Sequence, residues 1–310
     1  MKKRIFIDGK AGTTGLRIEE RLSGRDDVEI ISLPEELRKD VEARRKMLNS
    51  ADVVFLCLPD AAAVEAVSLI ENEDVTVIDA STAHRTLPDW AYGLPELGEE
   101  FLEKIKSSKR IAVPGCHASG FIALVYPLIK AGILPKDALL TAHSLTGYSG
   151  GGKSMIADYE GEPDGLLGAP RQYGIAQRHK HLPEMVKITG LETAPVFCPI
   201  VSNFYSGMEV TVPIFASQLS EGFGIEDIKA VYKNTYDTPL LRYVEGGDEG
   251  GFLSAAALSG KDSMRVEVHG NDERILLVAR YDNLGKGASG AAVECLNIKL
   301  GCDKTKNLEI

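Results

Sequence analysis

Residues 4–22, RIFIDGKAGTTGLRIEERL, decide the fold of this 310-residue chain. Arg4 to Asp8 reads as a short β-strand, and the residues through Leu22 beyond the glycines read as an amphipathic helix. Between them Gly9, Gly12 and Gly15 form a GxxGxxG turn, a variant of the GxGxxG fingerprint. Such a turn lets the backbone double back tightly and presents helix N-terminal amides to a pyrophosphate. Gly9, Gly12, Thr13, Thr14 and Gly15 are therefore expected to hold a dinucleotide. The next strand, Val28 to Leu33, carries Ser32 near its end and no carboxylate to grip a free ribose 2′-hydroxyl. Basic residues follow at Arg38, Lys39, Arg44 and Arg45, so NADP is preferred to NAD, with Ser32 and Arg38 beside the extra phosphate.

The β/α alternation continues with strands at 53–58, 75–79 and 110–113 and a helix at 61–70. That spacing implies a mostly parallel sheet with helices on both faces. In such a sheet ligands gather beyond the carboxyl ends of the strands, where Pro59, Ser81 and the turn at Pro114 stand. Pro59 and Ser81 are assigned to the nucleotide, and Arg85, whose planar guanidinium suits a carboxylate or phosphate, to the substrate.

The turn at 110–120, RIAVPGCHASG, places Cys116 where a strand stops and a helix begins. Helix-start amides and the positive end of the dipole bias a thiol toward thiolate. The dipole contributes at most about 2 kcal/mol, roughly 1.5 pKa units, so a basic partner is required. His179 and His181, around Lys180, form the one dense histidine cluster, and either could serve. Two histidines without a third ligand nearby do not make a zinc site, and no metal is expected.

From about Ala138 the strands lengthen (138–146, 194–201, 208–217, 265–268, 274–281) around a helix at 225–236, a mixed or antiparallel α+β pattern. The segment 147–153, GYSGGGK, lacks P-loop spacing and is expected to be a mobile substrate-covering loop, with Ser149 and Lys153 facing the substrate. The tail from Asp282 leads into an apolar helix that should return to the first domain, bringing Asn283 and Gly287 to the nucleotide. Residues beyond Asp303 are expected to be loose.

Composition bounds the partners. At 44% hydrophobic and 26% charged, the chain can form two cores. A net charge of -10 disfavours nucleic-acid binding and polybasic membrane attachment. The N-terminus is a strand and not a signal peptide, and no apolar run reaches the length of a membrane span. Five scattered cysteines without a CxxC pair suit a reducing cytoplasm.

Taken together, FIDGKAGTTGL, LNSADVVFLCLPD, DASTAHRT, PGCHASG, GYSGGGKS, HKHLPEM and DNLGKGASGAAVECLN resemble the N-acetyl-gamma-glutamyl-phosphate reductases of arginine biosynthesis, in their shorter form, over nearly the whole length. The resemblance implies a Rossmann-type NADP-binding domain (1–116 with 283–310) and an α+β catalytic and oligomerisation domain (117–282). It places the catalytic cysteine on Cys116 and implies a homo-oligomer, dimer or tetramer, acting on a small molecule. The implied reaction is the NADPH-dependent reductive dephosphorylation of an acyl phosphate through a cysteine thioester, with a histidine of the 179/181 pair, preferably His179, as acid/base. His117 and Ser119 depart from the usual Tyr or Phe and Thr beside the nucleophile. The alternatives are another acyl-phosphate reductase, such as aspartate-semialdehyde dehydrogenase or an enzyme of carrier-bound amino-acyl phosphates, and a non-catalytic nucleotide-binding protein.

Overall fold

The strand expected at the N-terminus is β1 (Lys3–Asp8), and it is followed by α1 (Thr13–Leu22), β2 (Val28–Ile31), α2 (Val41–Ser50), β3 (Val53–Leu56), α3 (Asp60–Ser68) and β4 (Thr76–Asp79). Then come β5 (Ala91–Tyr92), α4 (Glu99–Ser107), β6 (Arg110–Ala112), α5 (Cys116–Lys130), β7 (Thr141–Gly147), α6 (Gly152–Glu160), β8 (Arg171–Gln172) and α7 (Leu182–Thr189). The chain finishes with β9 (Val196–Ser202), β10 (Met208–Phe215), α8 (Ile225–Thr235), β11 (Leu241–Tyr243), β12 (Met264–Gly270), β13 (Arg274–Tyr281) and α9 (Gly290–Leu300). The computed structural model describes residues 2–162 and 164–310.

Two units result. The first comprises Met1–Pro95, Glu99–Pro114 and Ala288–Leu308; the second comprises Glu96–Gly98, Gly115–Gly287 and Glu309–Ile310. Both junctions differ from the sequence expectation: Cys116 and the segment 283–287 cluster with the second unit, because their packing partners lie there.

The sheet of the first unit runs β2-β1-β3-β4-β6-β5, and every pairing is parallel. Alternation along each strand feeds two cores. Ile5, Ile7, Val53 and Phe55 pack with α1 and α9 residues such as Ile18, Ala292 and Leu296. Phe6, Val54 and Leu56 point to the opposite face, onto Leu48, Ala63 and Ala66 of α2 and α3. The return of α9 to this unit is thus as expected. The tail beyond it is not loose. The Asn297 amide donates to the carbonyls of Lys304 and Lys306, and Lys306 pairs with Asp26 and Asp27.

The second unit holds a mixed sheet, β11-β12-β13-β10-β7-β9-β8, antiparallel except for the β7–β9 and β11–β12 pairs. Helix α5 packs on β10 and β13 and is buried from His117 to Val125 without a break. Pro127, inside α5, has no N–H to give the carbonyl four residues back, that of Ala123. The Tyr236 hydroxyl supplies the missing donor at 2.6 Å, and Tyr232 serves the Leu124 carbonyl at 2.5 Å.

Candidate active site

In the first unit the glycine turn lies at the end of β1, between the neighbours β2 and β3, where the strand order reverses. Gly9 has φ +85°, and a Cβ there would stand 2.4 Å from the Cys57 carbonyl oxygen. A Cβ on Gly15 would meet the Lys10 Cα at 2.6 Å. The turn closes with the Gly12 N–H donating to the Gly9 carbonyl at 3.0 Å, and α1 then begins without a side-chain cap. Uncapped amides behind a turn that only glycine can make fit a dinucleotide pyrophosphate. At the end of β2, Ser32 and Arg38 are exposed, and Arg38 pairs with Glu35 at 2.5 Å. No carboxylate occupies the last positions of β2, which suits a phosphorylated ribose.

Several first-unit residues are committed elsewhere. Arg44 is buried between Asp8 and Glu65, and Arg45 pairs with Glu71, so only Arg38 and Lys39 of the basic set stay on the open surface. Ser81 donates its hydroxyl to the fully buried Asp79 at 2.6 Å, beside His84, which also bonds Asp79 and stacks on Trp90. Arg85 donates Nε to the Val113 carbonyl at 2.8 Å and Nη2 to the Ala80 carbonyl at 3.0 Å, bracing two strand ends. Pro59 precedes α3 and is exposed. Cys57 is a half-buried thiol packed against the first core, pushed up to about 12 by burial and then by Asp79 and Asp8, and so is unsuited to nucleophilic work.

In the second unit Cys116 is the first residue of α5, behind Gly115, and the helix has no side-chain cap. Glu184, buried in the first turn of α7, accepts the Gly115 N–H at 2.8 Å and so fixes the turn before the thiol. Tyr281 donates its hydroxyl to the Cys116 carbonyl at 2.5 Å and accepts from the Gly120 N–H at 3.0 Å. A Cβ on Gly120 would lie 2.7 Å from that hydroxyl, so glycine admits the ring. Gly287 also belongs here: a Cβ on it would come within 3.1 Å of the Cys116 Cβ.

Three histidines gather beside the thiol's helix start. The His117 ring lies 5.7 Å from His179 and 5.6 Å from His181, and the latter two are 4.7 Å apart. His117 is 2% exposed and bonds Ser144 Oγ through Nδ1 and Tyr173 Oη through Nε2, each at 2.6 Å. Burial, with His179 and Lys180 adding repulsion, lowers its pKa to about 3. Burial and then Lys180 lower His179 to about 4. His179 Nδ1 accepts the His181 N–H at 3.2 Å, which puts the neutral ring's proton on Nε2. Ser119, the second departure, returns its hydroxyl to the Gly115 carbonyl at 3.1 Å.

The segment 147–153 is a folded turn running into α6, tied by the amides of Tyr148 and Ser149 to the carbonyls of Phe204 and Tyr205. Ser149 is buried and accepts from Asn283 at 3.0 Å, while Lys153 is exposed in the first turn of α6. Asn283 engages both ends of its amide within the second unit, since its oxygen accepts from the Gly207 N–H at 2.9 Å. It therefore braces this segment. Among the described residues no group of three or more metal-ligating side chains occurs. Tyr173, Ser144, Glu184 and Tyr281 escaped the sequence analysis as site residues. Of these, only Glu184 had a signal, its place in HLPEM.

A glycine turn on a parallel sheet and a cysteine at a helix start beside histidines define a class, the nucleotide-dependent oxidoreductases that work through a thiol. Residues 26–105 match the semialdehyde dehydrogenase NAD-binding domain, and residues 116–283 match the semialdehyde dehydrogenase dimerisation domain. The N-acetyl-gamma-glutamyl-phosphate reductase of Sinorhizobium medicae is 45% identical over 308 residues, 97% of this chain and 99% of that protein. N-acetyl-gamma-glutamyl-phosphate reductase 2 of a Nostoc species is also 45% identical, over 97% of each chain. Aspartate semialdehyde dehydrogenase II of Vibrio cholerae, solved with ASA, shares the fold at a TM-score of 0.73 and 16% identity, over 97% of this chain and 99% of that one. The chain belongs to the N-acetyl-gamma-glutamyl-phosphate reductase family of the semialdehyde dehydrogenases.

Proposed function

We propose that Cys116 is the nucleophile of this enzyme, with His179 as its acid/base. The reaction is the NADPH-dependent reduction of N-acetyl-gamma-glutamyl phosphate to N-acetylglutamate 5-semialdehyde, with release of phosphate, in arginine biosynthesis. The observation that carries the assignment is Cys116 at the uncapped start of α5, its backbone held by Tyr281 and next to a turn fixed by Glu184.

The Cys116 thiolate adds to the acyl carbon, and the bond to the phosphate oxygen breaks to leave a thioester. NADPH, when bound, supplies the hydride that brings the acyl group to the aldehyde level. Negative charge on the acyl oxygen is met by amides at the α5 N-terminus. His179 takes and returns the proton. It is half-buried, whereas His181 is 4% exposed, so His179 can exchange with solvent. Accepting at Nε2 requires the other tautomer and the loss of one long hydrogen bond, about 1 kcal/mol. A neighbouring thiolate or oxyanion favours its protonation. Lys153, exposed at the start of α6, is our partner for the substrate's anionic groups.

We further propose a cytoplasmic homo-oligomer, a dimer or tetramer. The five cysteines are free, and Val196, Phe215 and Leu276 lie exposed on one face of the second sheet. No helix is long and apolar enough to cross a membrane among the described residues.

The test is NADP-dependent oxidation of N-acetylglutamate semialdehyde with and without inorganic phosphate, with aspartate semialdehyde in parallel. Phosphate-dependent NADPH formation from the acetylated substrate alone is expected. Preference for aspartate semialdehyde would overturn the substrate, and no turnover of either would overturn the catalytic assignment.

A further inference from the structure

The hydrogen bonds around His117 have a direction, and the chemistry of three side chains fixes it. Ser144 lies on β7, fully buried, and His117 Nδ1 is the partner of its hydroxyl. Among the described residues that hydroxyl makes no other hydrogen bond. A buried O–H without an acceptor is costly, so Ser144 donates and His117 Nδ1 accepts. A neutral imidazole with one accepting nitrogen carries its proton on the other. His117 Nε2–H therefore donates to the Tyr173 oxygen at 2.6 Å. The phenolic proton is then directed away from His117. Tyr173 is only half-buried, so its proton has an open side to face.

We propose that Ser144 and His117 form a hydrogen-bond relay that turns the Tyr173 hydroxyl proton toward Cys116, making Tyr173 a donor to the acyl oxygen that becomes negative when the thiolate adds. The proposal rests on Cys116 as the nucleophile. Tyr173 bonds the ring of His117, the residue that follows Cys116 at the start of α5; burial first, and then the charge of Cys116, raise the pKa of the phenol and keep it a donor. His117 stays neutral at working pH, as the relay requires, because its pKa lies at about 3. Tyr173 touches the reacting oxygen; His117 and Ser144 are positioning residues that act through it.

Two measurements test this on the full-length enzyme. Nitrogen-15 NMR of the wild-type ring is expected to show His117 unprotonated at Nδ1 and protonated at Nε2; a proton on Nδ1 overturns the relay. The second is a double-mutant cycle. Tyr173→Phe should lower kcat about a hundredfold with KM little changed, and His117→Phe about tenfold. His117→Phe in the Tyr173→Phe background should lower kcat no further. Independent, multiplying losses would mean that His117 acts structurally and would overturn the proposal. A wild-type enzyme without phosphate-dependent turnover would overturn the functional reading instead, and the ring nitrogen shifts would still decide the relay.

Discussion

The Tyr281 hydroxyl and the Cys116 carbonyl oxygen stand 2.5 Å apart, joining the last residue of β13 to the first of α5. The same hydroxyl accepts from Gly120, so one buried phenol holds both ends of the helix turn that carries the thiol. Tyr281→Phe keeps the ring and deletes the clamp. It should reduce kcat about tenfold and destabilise the second unit by about 1–2 kcal/mol, read from steady-state kinetics and urea unfolding. Gly120→Ala pushes a methyl against the ring and Val210 and should cost about 1–3 kcal/mol by the same assay.

Cys116→Ser should abolish turnover and leave NADPH binding largely intact, since it changes one atom of the thiol and leaves the glycine turn untouched. Fluorescence titration of NADPH against the inactive variant checks both halves. Residual activity within about tenfold of wild type would remove Cys116 from the reaction.

Stability should fall in mild acid because His117 stays neutral when folded. Its folded pKa is about 3, below the unfolded value near 6.5, so as pH drops from 6.5 toward 3 the unfolded chain binds a proton that the folded one refuses. Folding then loses about 1.4 kcal/mol per pH unit from this residue, and above pH 6.5 the term vanishes. His117→Phe should flatten that part of the profile. Urea midpoints at pH 7 and pH 5 measure it, and an equally steep variant would refute it.

At the nucleotide turn, Gly9→Ala places a methyl on the Cys57 carbonyl at a positive φ, and NADPH affinity should fall more than tenfold, roughly 1.4 kcal/mol. Arg38→Ala should weaken NADPH by about tenfold and leave NADH nearly unchanged, because only the former carries the extra phosphate. Equal effects on the two nucleotides would separate Arg38 from that phosphate.

What the chain reveals before folding is what its neighbours in sequence decide. The GxxGxxG turn, the stop at Pro114 and Gly115, and the start of α5 at Cys116 are local signals of dihedral freedom and helix initiation, and strand periodicity gave the parallel sheet. Side-chain chemistry alone also nominated the thiol and the histidine pair. Partners were not legible. Ser144 and Tyr173 reach His117 from 27 and 56 residues away, and Tyr281 reaches Cys116 across 165. The bracing bonds of Asn283 and Arg85 to backbone and side chains were equally invisible. Pairings of that kind depend on strand order and helix packing, which bring distant polar groups into low dielectric, where an unmatched donor is too costly to leave. Sequence thus determined the two kinds of unit and nominated the thiol. Tertiary structure decided which polar groups steady the thiol, because burial selects partners by position in space rather than along the chain.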